Sequence, residues 1–191
     1  LVVLSRLGFI KSKDREIRET VALLKAKAEI YGNPESAENA PLKLAEACFG
    51  TLPFIYSPTE HLDTVNLRWR GQFAENAKQL SHGNVLPEMN HNELVGWKCL
   101  PELMKQITVV FLHDKDTHPR VAVRERITKE IVSRYAHAVY EVQSEGKSLL
   151  ARIFSLVYYG DWVSLYLAIL NREDPQPVAV IDYLKQELAK V

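Results

Sequence analysis

Cysteine is scarce in this sequence: Cys48 and Cys99 are the two thiols in 191 residues. They fall in no CxxC spacing and build no disulfide framework, so a stapled secreted scaffold is excluded. They read as reduced thiols of a cytoplasmic protein. Net charge is missing as well, with Lys plus Arg and Asp plus Glu at 24 each. No large field exists to draw in nucleic acid or an anionic membrane surface. No apolar run approaches the ~20 residues that cross a bilayer. The opening LVVLSRLGFIK has neither the basic start nor the small-residue cleavage site of a signal peptide. GxGxxG, the Walker-type GxxxxGK-(S/T) and GxSxG are all absent. Dinucleotide, nucleoside triphosphate and acyl-enzyme chemistry are left without a motif.

What is present is an ordinary globular composition, 47% hydrophobic and 25% charged. The length suffices for one domain with a sizeable core and some extra helices. The chain begins without Met, inside an apolar helical pattern of Leu1, Leu4, Leu7 and Phe9. That reads as a cut end, with the protein continuing upstream.

Periodicity predicts a helix over 14–31, with Ile17, Val21, Leu24, Ala28 and Tyr31 on one face, Ser12 as N-cap and Gly32 as stop. A polar linker leads to a helix over 41–49. LPFIY (52–56) reads as a buried strand, followed by a helix over 60–78 with Leu62, Val65, Trp69 and Phe73 on one face. After a polar break at 81–84, Val85–Leu86 is a short strand. ITVVFL (107–112) is continuously apolar and rich in β-branched residues, the pattern of a strand buried on both faces. A helix over 119–135, a strand over 138–142, an apolar helix over 147–170 and a last helix over 178–190 complete the chain. Strands alternating with helices predict an α/β fold: a three-layer α/β/α sandwich around a small parallel sheet of about four strands, with extra N-terminal helices. Residues 1–40 read as the tail of an upstream domain plus a linker helix, and 41–191 as the domain itself.

The polar residues concentrate between Arg68 and Trp97, in RWRGQFAENAKQLSHGNVLPEMNHNELVGW. Glu75 lies late in a helix, within FAENAK, where a solvated surface carboxylate is the ordinary reading. Asn76 and Lys78 surround it with polar groups where the helix hands over to the next strand. His91 lies in MNHNE just past a strand end, the sheet edge at which open α/β folds bind ligands. It is either a capping or loop histidine or a proton carrier, imidazole being the side chain suited to moving protons near neutral pH. Asn90, Asn92 and Glu93 either orient it or cap a short helix. Lys185, in IDYLKQELAK, reads on spacing alone as an exposed lysine facing Asp182 or Glu187. Arg68 and Arg70 are weaker candidates for substrate or interface contacts. A metal site is the rival reading of His91 with Glu93, and of His113, Asp114, Asp116 and His118, but neither group has a ligand spacing of known geometry.

At GQFAENAK and LPEMNHNELVGW the sequence resembles the bifunctional phosphoglucose/phosphomannose isomerases, specifically their C-terminal sugar-isomerase (SIS) domain. The resemblance continues through the HPR loop at 118–120, RIFSLVYYGDWVSLYLAIL and DPQPVAVIDYLKQEL, and covers nearly the whole chain. It implies a flavodoxin-like SIS fold and an aldose–ketose isomerisation of glucose 6-phosphate and fructose 6-phosphate through a cis-enediol. It implies that Glu75 shuttles the proton between C2 and C1, and that His91 and Lys185 serve ring opening. No cofactor and no metal are called for. A sugar phosphate is the implied substrate, a homodimer is the implied assembly, and His91 serves either its own chain's site or the partner chain's. The family's phosphate-holding turn and its enediol-stabilising Arg belong to an N-terminal domain without counterpart here, so this chain alone is expected to have little or no activity. At the position tied to mannose tolerance stands Val178, which has no hydroxyl. The alternative is a non-catalytic sugar-phosphate-binding SIS module; the presence of Glu75, His91 and Lys185 together favours catalysis, since a sensor needs no proton shuttle.

Overall fold

The structure, a computed structural model, describes residues 1–190. Its helices are α1 (Val2–Arg6), α2 (Asp14–Tyr31), α3 (Ala40–Cys48), α4 (Thr59–Glu75), α5 (Glu93–Gly96), α6 (Pro101–Met104), α7 (Pro119–Val132), α8 (Leu149–Asn171) and α9 (Ala179–Leu188). Its strands are β1 (Leu52–Pro58), β2 (His82–Leu86), β3 (Ile107–His113) and β4 (Ala138–Gln143), and a 3-10 turn spans Glu88–His91. The four strands form one sheet in the order β2-β1-β3-β4. Every pairing is parallel, with Tyr56 opposite both Asn84 and Phe111, and Val110 opposite Tyr140. This is the predicted small parallel sheet between helices.

Two apolar cores fill the two faces. On one, Ile55, Val110 and Leu112 of the sheet meet Cys48, Trp69, Phe73, Leu156 and Leu167 from α3, α4 and α8. On the other, Tyr56, Val109 and Phe111 meet Met89, Trp97 and Val132. The alternation of strand side chains between faces separates the two sets. β3 is buried along Ile107–Leu112 because both of its faces are covered.

The predicted helix over 147–170 is α8, and it corrects one expectation. At 23 residues, with a stretch of mean hydropathy 1.5 inside it, it is long and apolar enough to cross a membrane by composition. It is instead the hub of the fold, with α2, α3 and α4 packed against it. Gly160 lets α4 approach: a Cβ there would lie 2.3 Å from Trp69 Nε1. The indole N–H donates to the Leu156 carbonyl at 2.9 Å, and its ring stacks on Tyr159 at 5.9 Å.

Two bounds also differ from the sequence pattern. β2 begins at His82 rather than Val85, because backbone pairing of Phe54 with His82 and Ile55 with Gly83 recruits residues without apolar alternation. α4 ends at Glu75 rather than Lys78, since Lys78 turns to φ +54°. α2 has the predicted limits, although Lys13 holds the N-cap position and Ser12 Oγ accepts from the Asp14 N–H at 3.3 Å.

Candidate active site

Glu75 is the last residue of α4, and the residues after it fix where that helix stops. Lys78 occupies the left-handed region in which glycine usually closes a helix. The Gln79 N–H then donates back to the Phe73 carbonyl at 3.1 Å. Gln79 Nε2 donates to the carbonyls of Cys48 (3.0 Å) and Thr51 (2.8 Å). Asn171 at the end of α8 donates to the Ala77 carbonyl and to Gln79 Oε1, both at 2.9 Å. Asn76 Nδ2 donates to Ser164 Oγ at 2.9 Å. With Phe73 and Ala77 fully buried, FAENAKQ reads residue by residue as anchors around one outward carboxylate.

Glu75 opens on a cleft of about 500 Å³ lined by Ala74, Lys78, Glu173, Asp174 and Pro177–Ile181. Lys78 bridges its two walls, with Nζ donating to the Glu75 carbonyl at 2.5 Å and the Pro175 carbonyl at 3.5 Å. Val178 lies in the lining, so the position tied to epimer tolerance shares this cleft with the candidate base. Lys185 follows Ile181 by four residues on α9 and therefore lies on the same helix face, ~6 Å further along the axis. It is exposed, and Glu187 pairs with Lys190 at 2.5 Å rather than with Lys185, correcting the pairing expected from spacing. Sequence marked Lys78 as a polar neighbour of Glu75 and 174–177 as a turn; that the two meet at one cleft depends on how α8 returns to the end of α4.

His91 ends the 3-10 turn and is exposed. Met89 of that turn is buried against Tyr56 and Phe111, on the face of the sheet opposite α4. One chain therefore brings Glu75 and the Lys185 helix to one side of the sheet and His91 to the other. The neighbours of His91 are anchored. Asn90 Nδ2 donates to Thr128 Oγ1 of α7 at 2.8 Å, and Asn92 Oδ1 caps α5 by accepting from the Glu93 N–H at 2.6 Å. The Glu93 carboxylate accepts from the Tyr56 hydroxyl, from Asn84 Nδ2 at 2.7 Å and from His82 Nε2 at 3.0 Å. Burial acts to raise the Glu93 carboxyl, but His82, Tyr56 and Asn84 outweigh it and hold the group below the usual carboxylate range. Burial, with Glu93 beside it, pushes the Tyr56 hydroxyl well above the usual phenol range.

The group 113–118 is used within the fold. Arg152 of α8, nearly buried, pairs with Asp114 at 2.8 Å and Asp116 at 2.5 Å, and His118 Nδ1 caps α7 by accepting from the Arg120 N–H at 3.2 Å. His113 lies between Glu125 at 3.3 Å and Glu141 at 3.0 Å. Burial favours its neutral form, but the two carboxylates win and raise it above the ordinary imidazole value. Arg68 is taken up by Asp161, both oxygens at 3.1 Å.

The chain combines an open, doubly wound parallel sheet with a cleft that carries a carboxylate at the end of its first crossover helix. The chain belongs to the family described as the bacterial phospho-glucose isomerase C-terminal SIS domain, whose model matches residues 37–188. It is 40% identical, over its whole length, to a bifunctional phosphoglucose/phosphomannose isomerase of Caldicellulosiruptor bescii, of which it covers 57%. It is 37% identical, over 96% of its length, to one from Aquifex aeolicus, of which it covers 58%. The chain thus spans somewhat more than half the length of these relatives. Among solved structures, a glucose-6-phosphate isomerase-like protein from Thermus thermophilus superposes with a TM-score of 0.74 at 26% identity, covering 96% of this chain and 59% of that one.

Proposed function

We propose that this chain is the proton-transfer half of an aldose–ketose isomerase acting on glucose 6-phosphate and fructose 6-phosphate. The observation that carries the reading is the cleft in which Glu75, Val178 and the first turn of α9 meet. In the open-chain sugar, the Glu75 carboxylate takes the proton from C2. The electron pair of that C–H bond becomes the C1–C2 double bond of a cis-enediol, and the C1 oxygen gains a proton. The Glu75 carboxylic acid then returns its proton to C1 while the C2 hydroxyl loses its own and becomes the ketone. Atoms and electrons balance within the sugar, so neither redox cofactor nor metal is called for. Lys185 and His91 act earlier, moving protons at the ring oxygen and the C1 hydroxyl as the hexose ring opens.

Two features of the chain give this reading its form. A shuttling base must be sheltered from exchange with water, and Glu75 is exposed here. Its cover comes from the part of the protein that the relatives possess beyond the matched length, which also supplies the phosphate contacts. Exposed apolar side chains of α1 and its following turn (Leu1, Val3, Leu4, Leu7, Phe9) support residues 1–40 as the connection to that part. Because the sheet separates Glu75 from His91 in one chain, His91 serves the site of a second copy in a homodimer. The apolar Val178 favours the glucose epimer over the mannose epimer. The free thiols Cys48 and Cys99 suit a cytoplasmic protein.

The test is isomerisation of glucose 6-phosphate by the full-length protein with Glu75→Gln. Activity at the background rate with unchanged thermal unfolding is expected; retention of most of the turnover removes Glu75 from the role of base. The 191-residue chain alone is expected to show no turnover.

A further inference from the structure

A four-residue 3-10 turn does not hold itself in place, since its hydrogen bonds are few and poorly aligned. The turn that carries His91 is nevertheless fixed at three points. Met89 is buried beneath it with no exposed surface, Asn90 is tied to Thr128 of α7, and Glu93 reaches back to the sheet. His91 itself is exposed and holds none of these anchors.

We propose that Glu93 is the positioning residue for His91, holding the turn at a fixed distance from β1 and β2 so that the imidazole is presented at one orientation. Glu93 is two residues from His91, and its carboxylate is the acceptor on which Tyr56 of β1 and His82 and Asn84 of β2 converge. The Tyr56 hydroxyl accepts in turn from Trp97 Nε1 at 3.2 Å, so a donor chain runs from α5's far end through the core to the same carboxylate. All three groups facing Glu93 present a hydrogen, and a carboxylate is the side chain that only accepts. A glutamine of the same shape would direct an N–H at one of these donors. Sequence pattern offered Glu93 either as orienting His91 or as capping a short helix; it is the first residue of α5, and its side-chain partners lie on two strands. This proposal rests on the reading of His91 as a proton carrier.

The experiment uses the full-length protein, isomerising glucose 6-phosphate, with His91→Ala, Glu93→Gln and the double variant, alongside thermal unfolding. His91→Ala alone is expected to lower kcat. Glu93→Gln is expected to lower kcat roughly 10-fold, the scale on which misplacing a reacting group acts, with KM changed less than about 2-fold. In the His91→Ala background the same substitution is expected to lower kcat less than about 2-fold, because the group it positions is gone. A Glu93→Gln loss repeated undiminished in that background, or absent from the parent, overturns the positioning role while leaving His91 in place. Parental kcat in His91→Ala overturns the reading of His91 and the positioning role with it. Should Glu93→Gln fail to fold, Tyr56→Phe removes one donor of three, and the same dependence on His91 is expected at smaller amplitude.

Discussion

The two faces of the sheet carry their polar groups in opposite ways. On the α4 face, Gln79 and Asn171 donate to backbone carbonyls and Asn76 donates to Ser164 Oγ, locking the helix end, and among the described residues no hydrogen bond engages the Glu75 carboxylate at the mouth of a cleft. On the other face, Glu93 is spent on holding the turn and the imidazole of His91 is left outward. In both places an anchored frame presents one outward polar head, the carboxylate of Glu75 and the imidazole of His91. The comparison teaches that the frame lies within this domain, and on the proposed reading the site is completed by contacts across its surfaces.

The largest expected effect separates head from frame on the α4 face. Glu75→Gln in the full-length protein should lower kcat by roughly 10³-fold, within the span attributed to positioned proton transfer, while urea unfolding stays at the parental midpoint. Next comes the frame itself. Trp69→Ala empties a fully buried site between α4 and α8 and should cost about 3–5 kcal/mol in urea unfolding. A smaller change is expected for Asn171→Ala, which leaves the Ala77 carbonyl and the Gln79 side chain short of a donor and should cost about 1–3 kcal/mol.

The smallest effects sharpen the electrostatic contrast. Glu93 is held below its ordinary range, so its contribution to stability is complete above the unfolded carboxyl value and is lost as pH falls through the lowered folded value. His113 is raised, so its contribution is complete below the unfolded imidazole value and is lost as pH rises through the raised folded value. Urea unfolding across acid to mildly alkaline pH should show Glu93→Gln flattening the acid limb and His113→Gln flattening the limb above the ordinary imidazole value. Unchanged slopes in either variant would remove that group from the pH dependence.

The fold was largely legible because its strongest signals are local. The 3.6-residue spacing from Ile17 to Tyr31 gave α2 its limits, and ITVVFL gave β3 because no solvent face interrupts it. β2 was half hidden: His82, Gly83 and Asn84 show no apolar alternation, and their strand state comes from pairing with β1. The helical reach of α8 and its core-forming apolar character were both visible, although composition by itself does not separate a core hub from a membrane span. For the proposed site, Glu75, His91 and Lys185 were named by resemblance. Their partition between two faces of a sheet depends on strand order, which no spacing along the chain encodes. For Glu93 the sequence left orienting His91 and capping a short helix both open; its partners were hidden, because they lie on two strands, as far as 37 residues away at Tyr56.

The most direct test of that partition mixes two full-length variants, Glu75→Gln and His91→Ala, each of reduced activity alone, after dissociation and reassociation. If Glu75 of one copy works with His91 of the other, hybrid dimers regain one intact site and the mixture should recover about a quarter of parental activity, as two-fold symmetry requires. Recovery no greater than the sum of the two variants measured separately would contradict a site shared between copies.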